Sequence, residues 1–269
     1  MKIVSEQNGI TIFESALYRT CAAVIELGNT VMIVDPNWLP DEVAFIAAYV
    51  GEHYWNHSQY LLFTHSDYDH IIGYGAFPKA KVIASAHFKT NPEKVKVIKQ
   101  IIDFDFEYYI NRTYPIIYPK VDILIEENGQ MVTLGKKDII FYHASGHCRD
   151  GLFAVIPDKK CWIAGDYFSN IEIPFVDYDY QAYLQTVYSA MDILKQYPLV
   201  ELMITGHGDP ATSRTDIEQR IQRDIAYLEL IKTENVDEAL ISQCIRKYND
   251  NPTMWRAHKK NLEMALRKP

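Results

Sequence analysis

Residues 64–70 read THSDYDH, directly after the apolar run Tyr60-Leu61-Leu62-Phe63. Two histidines and two aspartates therefore occupy positions 65, 67, 69 and 70, at the end of what reads as a short buried strand. Side chains alternate along a strand, so His65, Asp67 and Asp69 share one side if the strand continues. In a loop leaving the strand they converge instead. His70, beside Asp69, is free to point elsewhere, towards a second ion. Imidazole and carboxylate are natural ligands for zinc and also for iron or manganese. The plainer alternative is a polar loop with capping aspartates and surface histidines.

Three further places strengthen the metal reading. The stretch SGHCRDG sets His147 among small residues after a strand, WIAGDYF sets Asp166 after Gly165 at the end of another apolar strand, and ITGHGDP sets His207 in the same position. A single His or Asp in such a place is usually a turn or capping residue. Four strand ends that each deliver a ligand type suit a site built on loops at one edge of a sheet. His53, His57, His87 and His143 read as structural histidines, with His87 near enough to a strand end to stand behind the site. Tyr68 and Tyr167 flank ligands and read as packing residues of their loops.

Around these motifs the chain alternates strands and turns, then strands and helices, twice over. CAAVIELGNTVMIVDP reads as two strands joined at Gly28-Asn29, DEVAFIAAYVGE as a helix with an acidic first turn, IIGYGAF as a loop or short helix, and AKVIASA as a strand. In the second half, MVTLGKKDIIFYHAS is a hairpin around Gly135, and GLFAVIPDKKCWIAGD one that turns at Pro157-Asp158. QAYLQTVYSAMDILKQY and TDIEQRIQRDIAYLELIK have helical spacing, LVELMITGHGDP is a strand and loop, and the last 35 or so residues also read as helical. This order predicts an α/β fold of two stacked sheets with helices on the outer faces. No linker or low-complexity segment interrupts residues 1–269, which predicts one domain. Residues 88–120 read as a helix followed by an aromatic, proline-punctuated loop, an insertion that either covers a cleft or simply packs.

The net charge of −8 argues against a general nucleic-acid binder. No apolar run is long enough to span a bilayer, and MKIVSEQNGITIF lacks the basic and apolar regions of a secretory leader. Cys21, Cys148, Cys161 and Cys244 are widely spaced without a CxxC pair, which predicts reduced thiols in a cytoplasmic protein. The expected partner is a small-molecule substrate.

The order HxDxDH, GH, GD, GHG resembles the metallo-β-lactamase superfamily, whose usual signature is HxHxDH followed by His, Asp and His. The resemblance runs from the N-terminal strands to His207 and the helix after it. It implies a four-layer αβ/βα sandwich, with two mixed sheets packed face to face and a dinuclear site at one edge. It also implies an assignment of ligands: His65, Asp67 and His147 on one metal, Asp69, His70 and His207 on the other, and Asp166 bridging both. The activity implied is that of a metal-dependent hydrolase, in which a hydroxide bridged by two divalent ions attacks an ester, thioester, lactone or phosphodiester. Asp69 would be the catalytic residue, orienting that hydroxide or passing its proton to the leaving group. Asp166 speaks against a β-lactamase of the commonest type, which has cysteine there. Cys148 reads as a buried thiol turned away from the metals.

Asp67 departs from the signature, which has histidine at that place. With Asp67, Asp69 and Asp166 ionised, three negative charges face two divalent ions, and a hydroxide brings the set near neutrality. Zinc is the expected metal, while the harder, more anionic set also suits iron or manganese. Diiron flavoproteins of the superfamily carry a glutamate here, so the alternatives are a non-haem diiron redox protein for O2 or NO without its own flavin domain, and, third, a non-catalytic binding protein.

Overall fold

Val, Ile and Thr crowd the first part of the chain, and their branched side chains suit a pleated surface covered on its faces. Strands β1 (Lys2–Gln7), β2 (Ile10–Glu14), β3 (Cys21–Glu26) and β4 (Thr30–Val34) pair antiparallel in sequence order. Helix α1 (Pro40–His53) then carries the chain to β5 (Ser58–Leu62), parallel to β4. The one-turn helix α2 (Tyr68–Ile71) precedes β6 (Lys81–Ser85), and α3 (Ala86–Lys89) and α4 (Lys94–Glu107) precede β7 (Ile123–Ile125). These strands form a seven-stranded mixed sheet in the order β1-β2-β3-β4-β5-β6-β7, parallel from β4 onward.

After the hairpin of β8 (Gln130–Leu134) and β9 (Lys137–His143) come β10 (Leu152–Ile156) and β11 (Cys161–Gly165), which are antiparallel. Helix α5 (Tyr180–Gln196) crosses to β12 (Leu202–Thr205), parallel to β11, and α6 (Arg214–Ile231), α7 (Glu238–Arg246) and α8 (Pro252–Ala265) follow. Strands β8 to β12 make a five-stranded mixed sheet in the order β12-β11-β10-β9-β8. The computed structural model describes residues 1–232, 238–248 and 250–266, and divides into two compact units, Met1–Tyr142 and His143–Pro269. Two mixed sheets with accompanying helices are consistent with the expected α/β sandwich. The helical expectation for the last 35 or so residues is met by α7 and α8; residues 235–237, 249 and 267–269 lie outside the described residues.

Strands β4, β10 and β11 are buried along their whole length, as their unbroken apolar runs require. Both expected glycine turns are present, and within the first unit they abut. Gly28 and Gly135 have φ of +79° and +55°. A Cβ on Gly28 would stand 2.7 Å from the Gly135 carbonyl oxygen, and one on Gly135 would overlap the Leu27 carbonyl, so both positions need glycine. In the segment 88–120, Val97 and Ile101 of α4 join the core, and Arg112 pins the following loop through Asp105 (2.8 and 2.9 Å) and the Trp38 carbonyl (2.9 Å). The inner face of α4 is thus part of the core. Two local expectations need correction. Strand β5 stops at Leu62, before the ligand motif, and Cys148 is half-buried rather than buried. Among the described residues no helix is long and apolar enough to cross a membrane.

Glu42, in the first turn of α1, ties this helix to the turn after β2. Its carboxylate accepts from the Ser15 hydroxyl (2.7 Å), the Ala16 N–H (2.9 Å) and the Leu39 N–H (3.1 Å). Burial opposes its ionisation, but these hydrogen bonds outweigh burial and hold the carboxyl below its ordinary value of 4.5. A depressed folded-state pKa gives stability that is present above the unfolded value and is lost as pH falls through the folded one. Glu42→Gln should therefore flatten the acid limb: from about pH 6 to about pH 3 its urea midpoint should fall less than that of the parent protein. Parallel declines in the two proteins would contradict this.

Candidate metal centre

In a parallel pair, both chains leave the sheet at the same edge, so loops after β4 and β5 emerge together, as do those after β11 and β12. Each unit uses such a pair to gather ligand-type side chains.

In the first unit, β4 runs into Asp35 and β5 into Phe63-Thr64-His65. Asp35 takes a left-handed conformation, φ +43°, which aspartate tolerates better than most residues. Its Oδ1 accepts the Thr64 N–H at 2.9 Å, and its Oδ2 accepts the Thr64 hydroxyl at 2.5 Å and His70 Nδ1 at 3.0 Å. The Thr64 hydroxyl spends its proton on Asp35, so it receives the Nδ1–H of His65, 3.0 Å away. Both imidazoles are thus protonated at Nδ1, which leaves the Nε2 lone pairs for other work. His65 Nε2 lies 3.7 Å from Asp67 Oδ2, and His70 Nε2 lies 3.7 Å from Asp69 Oδ2. The two rings are stacked obliquely, with centroids 4.0 Å apart. Asp67 sits at the N-cap of α2, so Asp69 and His70 ride on a single helical turn instead of an extended strand.

The second unit builds a matching set. Gly165, φ +53°, ends β11 just before Asp166, and its carbonyl accepts the Gly206 N–H at 2.6 Å, beside His207 after β12. Asp166 Oδ2 stands 3.4 Å from His147 Nε2 and 3.3 Å from His207 Nε2. His147 Nδ1 donates to the Phe175 carbonyl at 2.9 Å, which again leaves Nε2 unprotonated. Tyr167 is a packing residue with a defined task. Its buried hydroxyl accepts the His147 N–H (3.1 Å) and donates to the Ala144 carbonyl (3.0 Å), and burial pushes its pKa well above the usual value. Gly146, φ +129°, lets this loop lie against the Tyr183 backbone, where a Cβ would collide.

Several supporting groups carry no local signal in the sequence. Asp35, Thr64 and Phe175 fix the imidazoles. Glu172 brings a further carboxylate to 4.0 Å from His207 Nδ1. Asp224, on α6, accepts from the Tyr248 hydroxyl at 3.0 Å and from the Phe168 N–H, just past Asp166. Its burial pushes the carboxyl up to about 7, and the nearby Arg223 only partly offsets this. Tyr68 is half-buried against Trp38, ring centroids 5.3 Å apart. His53 caps the Tyr49 carbonyl and stacks on the Tyr49 ring, and His57 packs edge-on against Tyr54.

The donor chemistry fits divalent transition ions in each unit separately. Two ligand atoms each about 2.0–2.1 Å from one ion, at angles between right and tetrahedral, lie about 3–3.4 Å apart. The Asp166 pairs fall at that spacing, and the pairs in the first unit lie slightly beyond it. Nitrogen and carboxylate oxygen together suit zinc and iron.

Comparison with known proteins agrees. The family profile of the metallo-beta-lactamase superfamily matches residues 22–207, and the chain belongs to that superfamily. Its members are mostly metal-dependent hydrolases, and the His and Asp groups of this chain could hold metal ions. A metallo-beta-lactamase from Pontibacter korlensis is similar in structure, with 12% identity, a TM-score of 0.59, and coverage of 85% of this chain and 98% of that one. The stereoselective inverting sec-alkylsulfatase Pisa1 from Pseudomonas sp. has 12% identity and a TM-score of 0.67, over 85% of this chain and 41% of the sulfatase. The rubredoxin oxygen:oxidoreductase of Desulfovibrio gigas has 14% identity and a TM-score of 0.58, over 85% of this chain and 62% of the oxidoreductase. These likenesses establish the fold. The search of curated proteins returns no match.

The Asp35 network is testable without metal. Asp35→Ala would strand three buried donors, so unfolding of metal-free protein in urea should show a loss of roughly 2–4 kcal/mol, with Asp35→Asn losing less. A loss under about 1 kcal/mol for the alanine variant would contradict the network.

Proposed function

We propose that the protein is a hydrolase with a dinuclear metal centre, acting on an ester, thioester, lactone or phosphodiester of a small molecule. His65, Asp67 and His147 would hold one ion, Asp69, His70 and His207 the other, and Asp166 both. The observation that carries this reading is the placement of one Asp166 oxygen 3.3–3.4 Å from the Nε2 atoms of both His147 and His207, the arrangement a shared carboxylate needs. Family membership supports joining this set to the His65–His70 motif.

Two bound divalent ions would supply Lewis acidity and a hydroxide nucleophile at neutral pH. The chain's own groups do the remaining work. Asp35, Thr64 and the Phe175 carbonyl keep three imidazoles in one tautomer, ready to ligate through Nε2. Asp69, buried at the start of α2, is the group that would orient the attacking water and move its proton to the leaving atom. Net charge −8 supports a small-molecule substrate over nucleic acid. Zinc suits the mixed set of imidazoles and carboxylates, and Asp67 makes it one that iron or manganese would also accept.

A second reading, a diiron protein that reduces O2 or NO with electrons from a partner, is favoured by Asp67 alone. Metal analysis of protein purified without added metal separates the two. The hydrolase reading expects about two zinc ions per chain. It also expects turnover of p-nitrophenyl phosphodiesters, thioesters, lactones or alkyl sulfate esters that is lost to a chelator and restored by zinc. In Asp166→Ala that turnover should fall by about 100-fold or more. Asp67→His should tighten zinc binding. Two iron ions with a visible absorption band, and no hydrolysis across the panel, would instead establish the redox reading.

A further inference from the structure

The family match ends at residue 207, yet the C-terminal helix α8 reaches back to the loop that orients a proposed ligand. Asn261 of α8 is fully buried. Its Oδ1 accepts the Val176 N–H at 2.9 Å, and its Nδ2 donates to the Pro174 carbonyl at 2.5 Å and to the Tyr227 hydroxyl at 3.0 Å. The residue between Pro174 and Val176 is Phe175, whose carbonyl receives the Nδ1–H of His147 at 2.9 Å. Asn261 therefore grips the N–H of the very peptide group whose carbonyl aims the imidazole, and the carbonyl of the peptide group before it.

Residues 171–178 form neither helix nor strand, so their peptide groups find partners outside any ladder: the Tyr178 N–H takes the Gly146 carbonyl at 3.0 Å, and Ile171, Pro174 and Val176 take side chains. Asn261 is fixed in turn. The Tyr227 hydroxyl that it meets lies 3.0 Å from His258 Nδ1, one helical turn earlier on α8. An asparagine serving only to dock α8 could bond anywhere along the loop. Bonds to the two residues flanking Phe175 instead fix the position of one carbonyl.

We propose that Asn261 is a positioning residue for His147: through the Phe175 carbonyl it sets the tautomer and direction of that imidazole, and so the affinity of the ion that His147 binds. The proposal rests on the dinuclear reading. It makes α8, outside the family match, a determinant of metal retention in this protein. Loss of a partner that orients a ligating histidine typically weakens metal binding about 10–100-fold.

The test is zinc binding by the full chain, measured by competition with a chromophoric chelator, alongside urea unfolding of each metal-free variant. Asn261→Ala should bind one of two zinc ions about 10–100-fold more weakly and the other within about threefold of the parent. Asn261→Asp keeps the acceptor for Val176 and loses both donated bonds, so it should fall between, and it carries the test if the alanine variant fails to fold. Met254→Ala, which hollows a buried site elsewhere on α8, should lose stability while holding both ions within about threefold. Parent-like binding of both ions by the Asn261 variants would overturn the positioning role and leave the dinuclear reading intact. Equal weakening by Met254→Ala would also overturn it, since general docking of α8 would then be the cause. A parent protein that takes up no zinc would overturn the dinuclear reading, and this inference with it.

Discussion

An imidazole can ligate a cation only through a nitrogen that carries no proton, and in this protein the hydrogen bonds at Nδ1 decide which nitrogen that is. Asp35 and Thr64 take the Nδ1 protons of His70 and His65, and the Phe175 carbonyl takes that of His147. Each Nε2 is left facing a carboxylate oxygen of its own unit, at 3.4 to 3.7 Å. Without those anchors the same side chains would be a polar rim with mixed tautomers and no fixed ligand directions. The proposed chemistry depends on this constraint more than on the ligand list itself.

The strands exist to hold that constraint. Parallel pairing of β4 with β5 brings Asp35 beside Thr64, and pairing of β11 with β12 brings Asp166 beside His207. Apolar runs supply the burial, and glycines supply the backbone geometry at the exits. Gly165 takes a left-handed turn just before Asp166, and Gly146 lets the His147 loop press against Tyr183. Polar groups that support the loops are themselves buried, so a cut partner leaves a stranded donor or acceptor.

Much of this was legible in the sequence. The motif THSDYDH and the stretches around His147, Asp166 and His207 announce themselves through residue type at strand ends, and the hairpins through Gly28 and Gly135. The end of β5 at Leu62 was not legible, because Phe63 continues the apolar pattern and its N–H still donates to the Ile83 carbonyl of β6 at 3.1 Å. Nor were Asp35, Glu172, Asp224 and Asn261. Asp35 before proline reads as an ordinary turn residue, and its task appears only when strand pairing brings Thr64, 29 residues later, within hydrogen-bond reach. Asn261 lies 85 residues from its partner Val176, in a helix whose apolar spacing explains its presence without any reference to a site. Long-range polar pairing leaves no local periodicity to read.

The proposed function stands on a pair of ions held by imidazoles and carboxylates. X-ray absorption at the metal edge, on protein loaded with two equivalents of zinc, tests it most directly. A dinuclear centre gives a mixed nitrogen and oxygen shell at about 2.0–2.1 Å with a metal–metal vector at about 3.5–4 Å. Zinc in such a shell with no metal–metal vector, or spread over sites lacking imidazole, would contradict it.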